Sequence, residues 1–461
     1  MNIYFLYGDN INRITFIYFQ RKGEIVLKDG ISKKILIKYN AYILDETETT
    51  ITIETSRESI DLIQDVRLAT GKEPIIVKGD ENDIKRKIKI RYDSNLENNE
   101  NRAQKLFKEI TEFAIKENIS DIHIEPFQEE FRIRMRRDGR LELYDVVSMV
   151  FYPEVVSFIK LKSGMDIAEK RFPQDGRLDI SDKENNVDVR VSSIPTVNGE
   201  KIVMRILNKK IFIENISKPD FSKEEMKIVS NIISKKSGII LVCGPTGSGK
   251  TTTVYSIIKK LMDLEKNITT IENPIEYKIE GINQMQVNEK TGLTFEKGLR
   301  SILRQDPDII MIGEIRDTET AEIAVRAAIT GHLVISTVHT EDAVSTIIRL
   351  YDMGIKPYLI KASLIGVISQ RLVRKKCSNC KNIDGVVQSC KLCNGRGYYG
   401  RTAIHEIMDV DEDIKNSIKE NIDKSKIKDM ADKSGMVTFE KSIKRLLEDG
   451  VLDERELQNL V

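Results

Sequence analysis

What this chain has little of narrows its class at once. It has no surplus of either charge: 73 lysines and arginines stand against 72 acids over 461 residues, a net of +1. No global field therefore steers it towards nucleic acid or an acidic membrane surface. It has no apolar run approaching the ~20 residues that a membrane-spanning helix needs, so a transmembrane segment is not expected. Its first residues, Met1-Asn-Ile-Tyr-Phe-Leu-Tyr-Gly-Asp9, lack the basic n-region and small-residue cleavage site of a secretory leader. Cysteine is scarce, five in all, and four of them form two Cys-x-x-Cys pairs. In a large intracellular protein such pairs point to metal rather than to disulfides. A cytoplasmic protein follows, with any membrane association made through partners. The fifth, Cys243, reads as a small buried core residue.

What is present begins with Gly244-Pro245-Thr246-Gly247-Ser248-Gly249-Lys250-Thr251, which fits the phosphate-binding pattern G-x-x-x-x-G-K-[ST] at every position. Ser237–Cys243 before it reads as a buried strand and Thr251–Lys260 after it as a helix, so Thr252 lies in the helix's first turn. Glycines let the backbone curl until its N–H groups and the helix N-terminus converge on a triphosphate. Lys250 would reach the β- and γ-phosphates and the Thr251 hydroxyl would ligate Mg²⁺.

Three later segments supply further candidates. Asp306–Glu314 is a strand ending in an acid, and a parallel sheet would bring Glu314 to the loop's edge, near Mg²⁺. Ile268–Glu276 carries Glu272 and Glu276 into a turn, and either carboxylate is suited to orient or deprotonate an attacking water. Gly331–His339 is a strand with His332 and His339 at its ends, and either histidine is placed to sense a γ-phosphate.

The rest of the chain divides by composition. Residues 1–92 mix short β-like runs (Glu24–Leu27, Thr50–Glu54) with a helical pattern near Ser56–Ala69. A polar linker occupies 93–101. An α+β domain over 102–208 opens with an amphipathic helix, Ala103–Glu117, followed by a hairpin turning at Asp138-Gly139. Arg132, Arg134 and Arg136 share one face of its first strand, and Phe131, Ile133 and Met135 the other. The row lacks the interleaved aromatics of a nucleic-acid platform. Strands Asn186–Ser192 and Lys201–Leu207 follow, then a second linker over 209–221. Alternating strands and helices make 222–374 a mostly parallel α/β domain. A cysteine module covers 375–398 and a small helical domain 399–461.

In order, the phosphate loop, the acidic Glu272–Glu276 segment, the strand ending at Glu314 and the Thr330–His339 segment resemble the motifs of the ATPases of type II secretion and type IV pilus assembly. Gln370–Arg374 and Gly400–Ile404 are similar to that family too, as are Ser120–Pro126, Arg171–Arg177, Arg190–Pro195 and Gly199–Arg205 upstream. The resemblance covers about residues 100–461. It implies a RecA-like core over 222–374, preceded by a PAS-like domain. It implies Glu276 as catalytic base, Glu314 as the acid near Mg²⁺, and Arg190 and Arg205 as arginines approaching the nucleotide phosphates. It further implies a homohexamer whose sites lie between its two large domains, an inner-membrane platform protein and a cytoplasmic adaptor as partners, and no direct nucleic-acid contact. The family's acidic box reads Glu-Asp-Pro; here it reads Glu272-Asn273-Pro274.

Cys377-Ser-Asn-Cys380 and Cys390-Lys-Leu-Cys393 offer four thiolates, enough for a closed tetrahedral Zn²⁺ shell of the structural kind. Pilus retraction motors of the resembled family typically lack this quartet, which favours an assembly or secretion motor. Two other readings stand beside it: a type IV secretion or DNA-uptake ATPase, and a zinc-bearing module that holds nucleotide without hydrolysing it.

Overall fold

The computed structural model describes residues 19–21, 24–26, 33–47, 49–57, 59–84, 102–181, 186–380, 390, 392–393, 395–420 and 422–458. The leader comparison over Met1–Asp9 and the expected linker at 93–101 lie outside the described residues. The chain forms two compact units, Met1–Leu207 and Asn208–Val461.

The first unit opens with a hairpin, β1 (Phe19–Arg21) and β2 (Glu24–Val26). Then come α1 (Lys33–Lys38), β3 (Ala41–Glu46), β4 (Thr50–Thr55), α2 (Ile60–Thr70) and β5 (Glu73–Lys78). Strict alternation in β4 buries Ile51, Ile53 and Thr55, and β4 and β5 run parallel with α2 as their crossover.

The α+β domain of this unit holds α3 (Arg102–Lys116), β6 (Asp121–Pro126), β7 (Glu130–Arg137), β8 (Arg140–Ser148), α4 (Tyr152–Lys162), β9 (Gln174–Ser181), β10 (Asn186–Thr196) and β11 (Gly199–Asn208). Its six-stranded sheet has the order β8-β7-β6-β11-β10-β9. Period-2 patterning decides the faces: Phe131, Ile133 and Met135 are buried with Ile110 and Ala114 of α3 and Val155 and Ile159 of α4. The β7–β8 turn has Asp138 at φ 47° and Gly139 at φ 86°. Two successive left-handed residues match the twist of a two-residue hairpin.

The second unit is a three-layer α/β/α body. Its elements are α5 (Lys209–Ser217), α6 (Lys223–Ile233), β12 (Gly238–Cys243), α7 (Lys250–Leu261), β13 (Ile268–Glu272), β14 (Asn283–Gln286), α8 (Phe295–Ile302), β15 (Ile309–Ile312), α9 (Thr318–Ile329), β16 (Leu333–Val338), α10 (Ala343–Asp352), α11 (Pro357–Ser363), β17 (Leu364–Lys376), β18 (Tyr398–Asp409), α12 (Glu412–Ser417), α13 (Lys424–Lys433) and α14 (Phe439–Glu448). Seven strands form one sheet in the order β14-β13-β15-β16-β12-β17-β18. All neighbours are parallel except β17 and β18. Successive residues feed opposite faces: Ile239, Leu241 and Cys243 pack with α9 and α10, while Ile240 and Val242 pack with α6 and α7. Strands buried on both sides read as continuous apolar runs, as Gly238-Ile-Ile-Leu-Val-Cys243 does.

Two segments differ from the sequence reading. Residues 209–217, expected within a linker, form α5: Asn208 caps it through the Lys210 and Ile211 N–H groups, and Phe212 and Ile216, four apart, bury one face. Residues 399–409, expected in the helical end, belong to β18, the antiparallel edge strand of the sheet. The cysteine module therefore interrupts a hairpin of this sheet.

A buried charge cluster ties the end of the chain to the start of this unit. Glu225 of α6, 2% exposed in its side chain, receives Arg445 Nη1 of α14 at 3.0 Å. Ser442 Oγ donates to it at 3.2 Å and the Ser222 N–H at 2.6 Å. His405 Nδ1 of β18 lies 3.7 Å away, a charge neighbour rather than a hydrogen bond. Burial pushes the Glu225 carboxyl up, but His405, the Ser222 N–H and Arg445 overcome it and hold it at about 2. A lowered carboxylate contributes stability above its unfolded value and loses it as pH falls through the folded one. Glu225→Gln is therefore expected to cost about 2 kcal/mol at pH 7 and to lower the melting temperature of the second unit by roughly 4–8 °C. The difference between wild type and variant, followed by calorimetry, should shrink between pH 4.5 and 2.

Candidate nucleotide site

Because β12, β13, β15 and β16 are parallel, their C-terminal ends share one edge of the sheet. The phosphate loop leaves β12 at that edge and turns directly into α7, whose N-cap is Gly249. The loop is tightly wrapped. Gly244 has φ 143°, and a Cβ there would lie 2.3 Å from the Gln370 carbonyl oxygen of β17. Only glycine permits both the backbone conformation and the approach. Gly247 and Gly249 have φ 78° and 87°. Lys250 Nζ donates to the carbonyls of Gly244 and Pro245 at 2.8 and 3.0 Å. Burial lowers the Lys250 ammonium from the ordinary lysine value, and the Glu314 carboxylate opposes that shift. Thr251 and Thr252 open the helix behind it.

Glu314 follows β15 and His339 follows β16, so both arrive beside the loop. Glu314 Oε2 lies 3.6 Å from His339 Nε2 and 2.6 Å from Arg316 Nε. Burial and the nearby Lys250 charge lower the His339 pKa, which Glu314 only partly restores. At neutral pH the imidazole is uncharged. His332 does not join this group. It precedes β16, where Leu333 pairs with Gly238, and its Nδ1 lies 2.9 Å from the Ala327 carbonyl. The six residues of β16, at ~3.3 Å each, put it on the order of 20 Å from the loop. The two histidines named as candidates for a γ-phosphate thus lie at opposite ends of β16, and His339 is the one at the loop's edge.

The two acids of the Glu272–Glu276 segment also part company. Glu272 is buried, and its carboxylate accepts from Thr270 Oγ1 at 2.6 Å, from Gln284 Nε2 at 3.0 Å and from the Tyr255 hydroxyl. Three donors on one buried carboxylate are a structural arrangement. Glu276, four residues on and past the Asn273-Pro274 cis peptide, is partly exposed.

In the first unit, Arg190 and Arg205 lie on the neighbouring strands β10 and β11. Both alternate with buried residues (Val189 and Val191, Met204 and Ile206) and so occupy the face away from the core. Register extends this row: Arg190 pairs with Arg177 of β9, Arg205 with Asp121 of β6, and Asp121 with Arg136 of β7. Arg205 Nε lies 3.0 Å and Arg136 Nε 3.6 Å from the Asp121 carboxylate. Arg134 is bound elsewhere, donating twice to Glu125.

Cys377, Cys380, Cys390 and Cys393 converge with all four sulfurs within 4.8 Å of one another. Cys377–Cys390 and Cys380–Cys393 are 3.7 and 3.6 Å apart. These are not disulfide lengths. They fit a tetrahedron with metal–sulfur bonds of ~2.3 Å, whose edges are ~3.8 Å. The Gly397 N–H donates to Cys393 Sγ at 3.3 Å, and the Cys393 backbone N–H is the main cause of a Cys390 thiol lowered to about 6.

The family model for Type II/IV secretion system protein matches residues 96–459. The chain belongs to that family. A type IV pilus assembly ATPase of Thermus thermophilus is 46% identical over 75% of this chain, which spans only 41% of that relative's length. A type II secretion system protein, HxcR, of Pseudomonas aeruginosa is 44% identical over 73% of this chain and 72% of its own. Among solved structures, a pilus retraction motor crystallised with bound ADP superposes with a TM-score of 0.55 at 26% identity, covering 77% of this chain and 96% of its own.

Within this secretion family member, Arg316 escaped sequence reasoning, and so did the loop contact of Gln370, a residue singled out only as part of the family-like segment Gln370–Arg374. Arg316 pairs with Glu314, and its only signal was its position two residues beyond that acid. Gln370 touches the loop from β17, and no local pattern announces a contact between residues 122 apart in the chain. For the cysteine module, purified protein is expected to carry one Zn²⁺ per chain by elemental analysis, and Cys390→Ser to lose it. Metal-free wild-type protein would rule the site out.

Proposed function

We propose that this chain is a Mg²⁺-dependent ATP hydrolase that works as a hexameric ring and powers type IV pilus assembly or type II secretion. The observation that carries the proposal is the convergence of Lys250, Glu314 and His339 at the mouth of a phosphate loop, in a chain whose relatives bear the names of pilus assembly and secretion ATPases. The loop N–H groups from Gly244 to Thr251 and the Lys250 ammonium would hold the β- and γ-phosphates. The Thr251 hydroxyl and Glu314 would hold Mg²⁺ and its waters, and bound Mg²⁺ would neutralise charge on the phosphate oxygens. Glu276 orients the attacking water; the three donors on Glu272 favour this choice between the two acids. His339, neutral, would donate to or accept from the γ-phosphate region. Arg190 and Arg205 would add cations in rigid forks, and their place on an exposed sheet face supports that role.

Among the described residues no helix is long and apolar enough to cross a membrane. This is compatible with a cytoplasmic motor held at the inner membrane by a platform protein and an adaptor. The four-cysteine module supports an assembly or secretion motor over a DNA-translocating one.

Phosphate release tests the proposal. Lys250→Ala and Glu314→Gln are each expected to lower turnover about 100-fold or more. Glu276→Gln should lower kcat by at least about 100-fold while nucleotide still binds. Glu272→Gln should act first on thermal stability. Turnover close to wild type in both Lys250→Ala and Glu314→Gln would overturn the assignment, and salt-sensitive stimulation by DNA would favour a DNA-translocating machine instead.

A further inference from the structure

We infer that Gln370 is a positioning residue for the phosphate loop, setting the direction in which the Gly249 N–H faces the nucleotide. The inference rests on the proposed ATP site and concerns what shapes it.

Gln370 sits in the middle of β17, 1% exposed, on the strand that flanks β12. Its side-chain amide makes two short hydrogen bonds in different directions. Nε2 donates to the Ser248 carbonyl at 2.6 Å, and Oε1 accepts from Thr253 Oγ1 at 2.6 Å. The Ser248 carbonyl can only accept, which fixes the orientation of the amide. One side chain thus grips the end of the loop and the first turn of α7 together. Its own peptide oxygen meanwhile presses against Gly244 at the loop's start, as close as a glycine allows.

The Ser248 carbonyl and the Gly249 N–H belong to one peptide plane and point in opposite directions. Holding the carbonyl towards β17 turns the N–H away from β17, into the concavity of the loop. Gly249, at φ 87°, is a residue whose backbone has many alternatives, so this plane is the one most in need of an anchor. An amide satisfies the demand because it carries donor and acceptor side by side. A carboxylate would set negative charge against the Ser248 carbonyl, and an aliphatic side chain would leave the buried carbonyl without its donor, a loss that is costly in itself. The bond to Thr253 holds the helix but leaves the Ser248 peptide plane alone.

Three variants of the full chain separate the roles: Gln370→Glu, Gln370→Leu and Thr253→Val. Equilibrium binding of ATP and ADP, kcat and KM for phosphate release, and the nucleotide-free melting curve are measured for each protein. ATP and ADP affinities are expected to fall together, by tenfold or more, in Gln370→Glu and Gln370→Leu, because the lost N–H serves a phosphate common to both. KM should rise with them. In Thr253→Val the affinities should change no more than about threefold, whatever its melting temperature. A folded Gln370 variant that binds ATP and ADP as wild type does would overturn the inference. So would a Thr253→Val variant as weak as Gln370→Leu, since the helix bond would then be the one that matters. Failure of the wild-type protein itself to bind ATP would instead refute the proposed function.

Discussion

Strand direction is the constraint on which the second unit's chemistry depends. Every helix that crosses between β12, β13, β15 and β16 returns the chain to the same starting edge of the sheet, so every strand delivers its last residue to the opposite one. That is why a loop at 244, an acid at 314 and a histidine at 339 meet although nearly a hundred residues separate the first from the last. It is also why His332, only seven positions before His339, is remote. The same rule that brings the other three together sends it to the opposite edge.

A shared edge alone does not make a binding loop, which also needs its backbone dipoles held still. The contacts around it are made by groups with no remaining freedom. Gly244 lies against a carbonyl, the Gln370 amide is spent on two partners, and Glu272 is filled by Tyr255, Thr270 and Gln284. Buried polar groups this fully satisfied rigidify their surroundings. The groups suited to chemistry differ in kind. Among the described residues Lys250 donates to two loop carbonyls, and Glu314 meets an exposed arginine and His339. The saturated carboxylate of Glu272 thus contrasts with that of Glu314 at the loop's edge.

The sequence carried the architecture well where periodicity or a motif speaks. The apolar run before the loop, the alternation of Phe131, Ile133 and Met135 and the Asp138-Gly139 turn are local signals, and each element formed where its pattern placed it. Choices between equal residues were not legible. Glu272 and Glu276 are the same side chain four positions apart, and only the partners brought by α7 and β14 tell them apart. His332 and His339 both flank one strand, and nothing local says which end is the productive one until strand direction is known. Polar stretches misled as well: α5 hides two anchoring apolar residues among charges, and β18 follows a cysteine module that reads as a boundary.

The outer face of the first unit's sheet shows strand register deciding where charges fall. Arg177 faces Arg190 directly across β9 and β10, Arg205 lies on the next strand, and Arg136 stands beyond Asp121. Like charges opposite one another destabilise a sheet. At ~5 Å such a pair costs about 0.8 kcal/mol even in water, while Asp121 serves Arg205 and Arg136. Elsewhere on the sheet opposite charges meet directly, as Glu125 does with Arg134 and Lys201. Asp188 and Asp179 oppose each other as Arg190 and Arg177 do, so along both strands an acid stands two residues from the arginine. Register thus sets like charge against like across β9 and β10, while the alternation along each strand brings opposite charges to the same face.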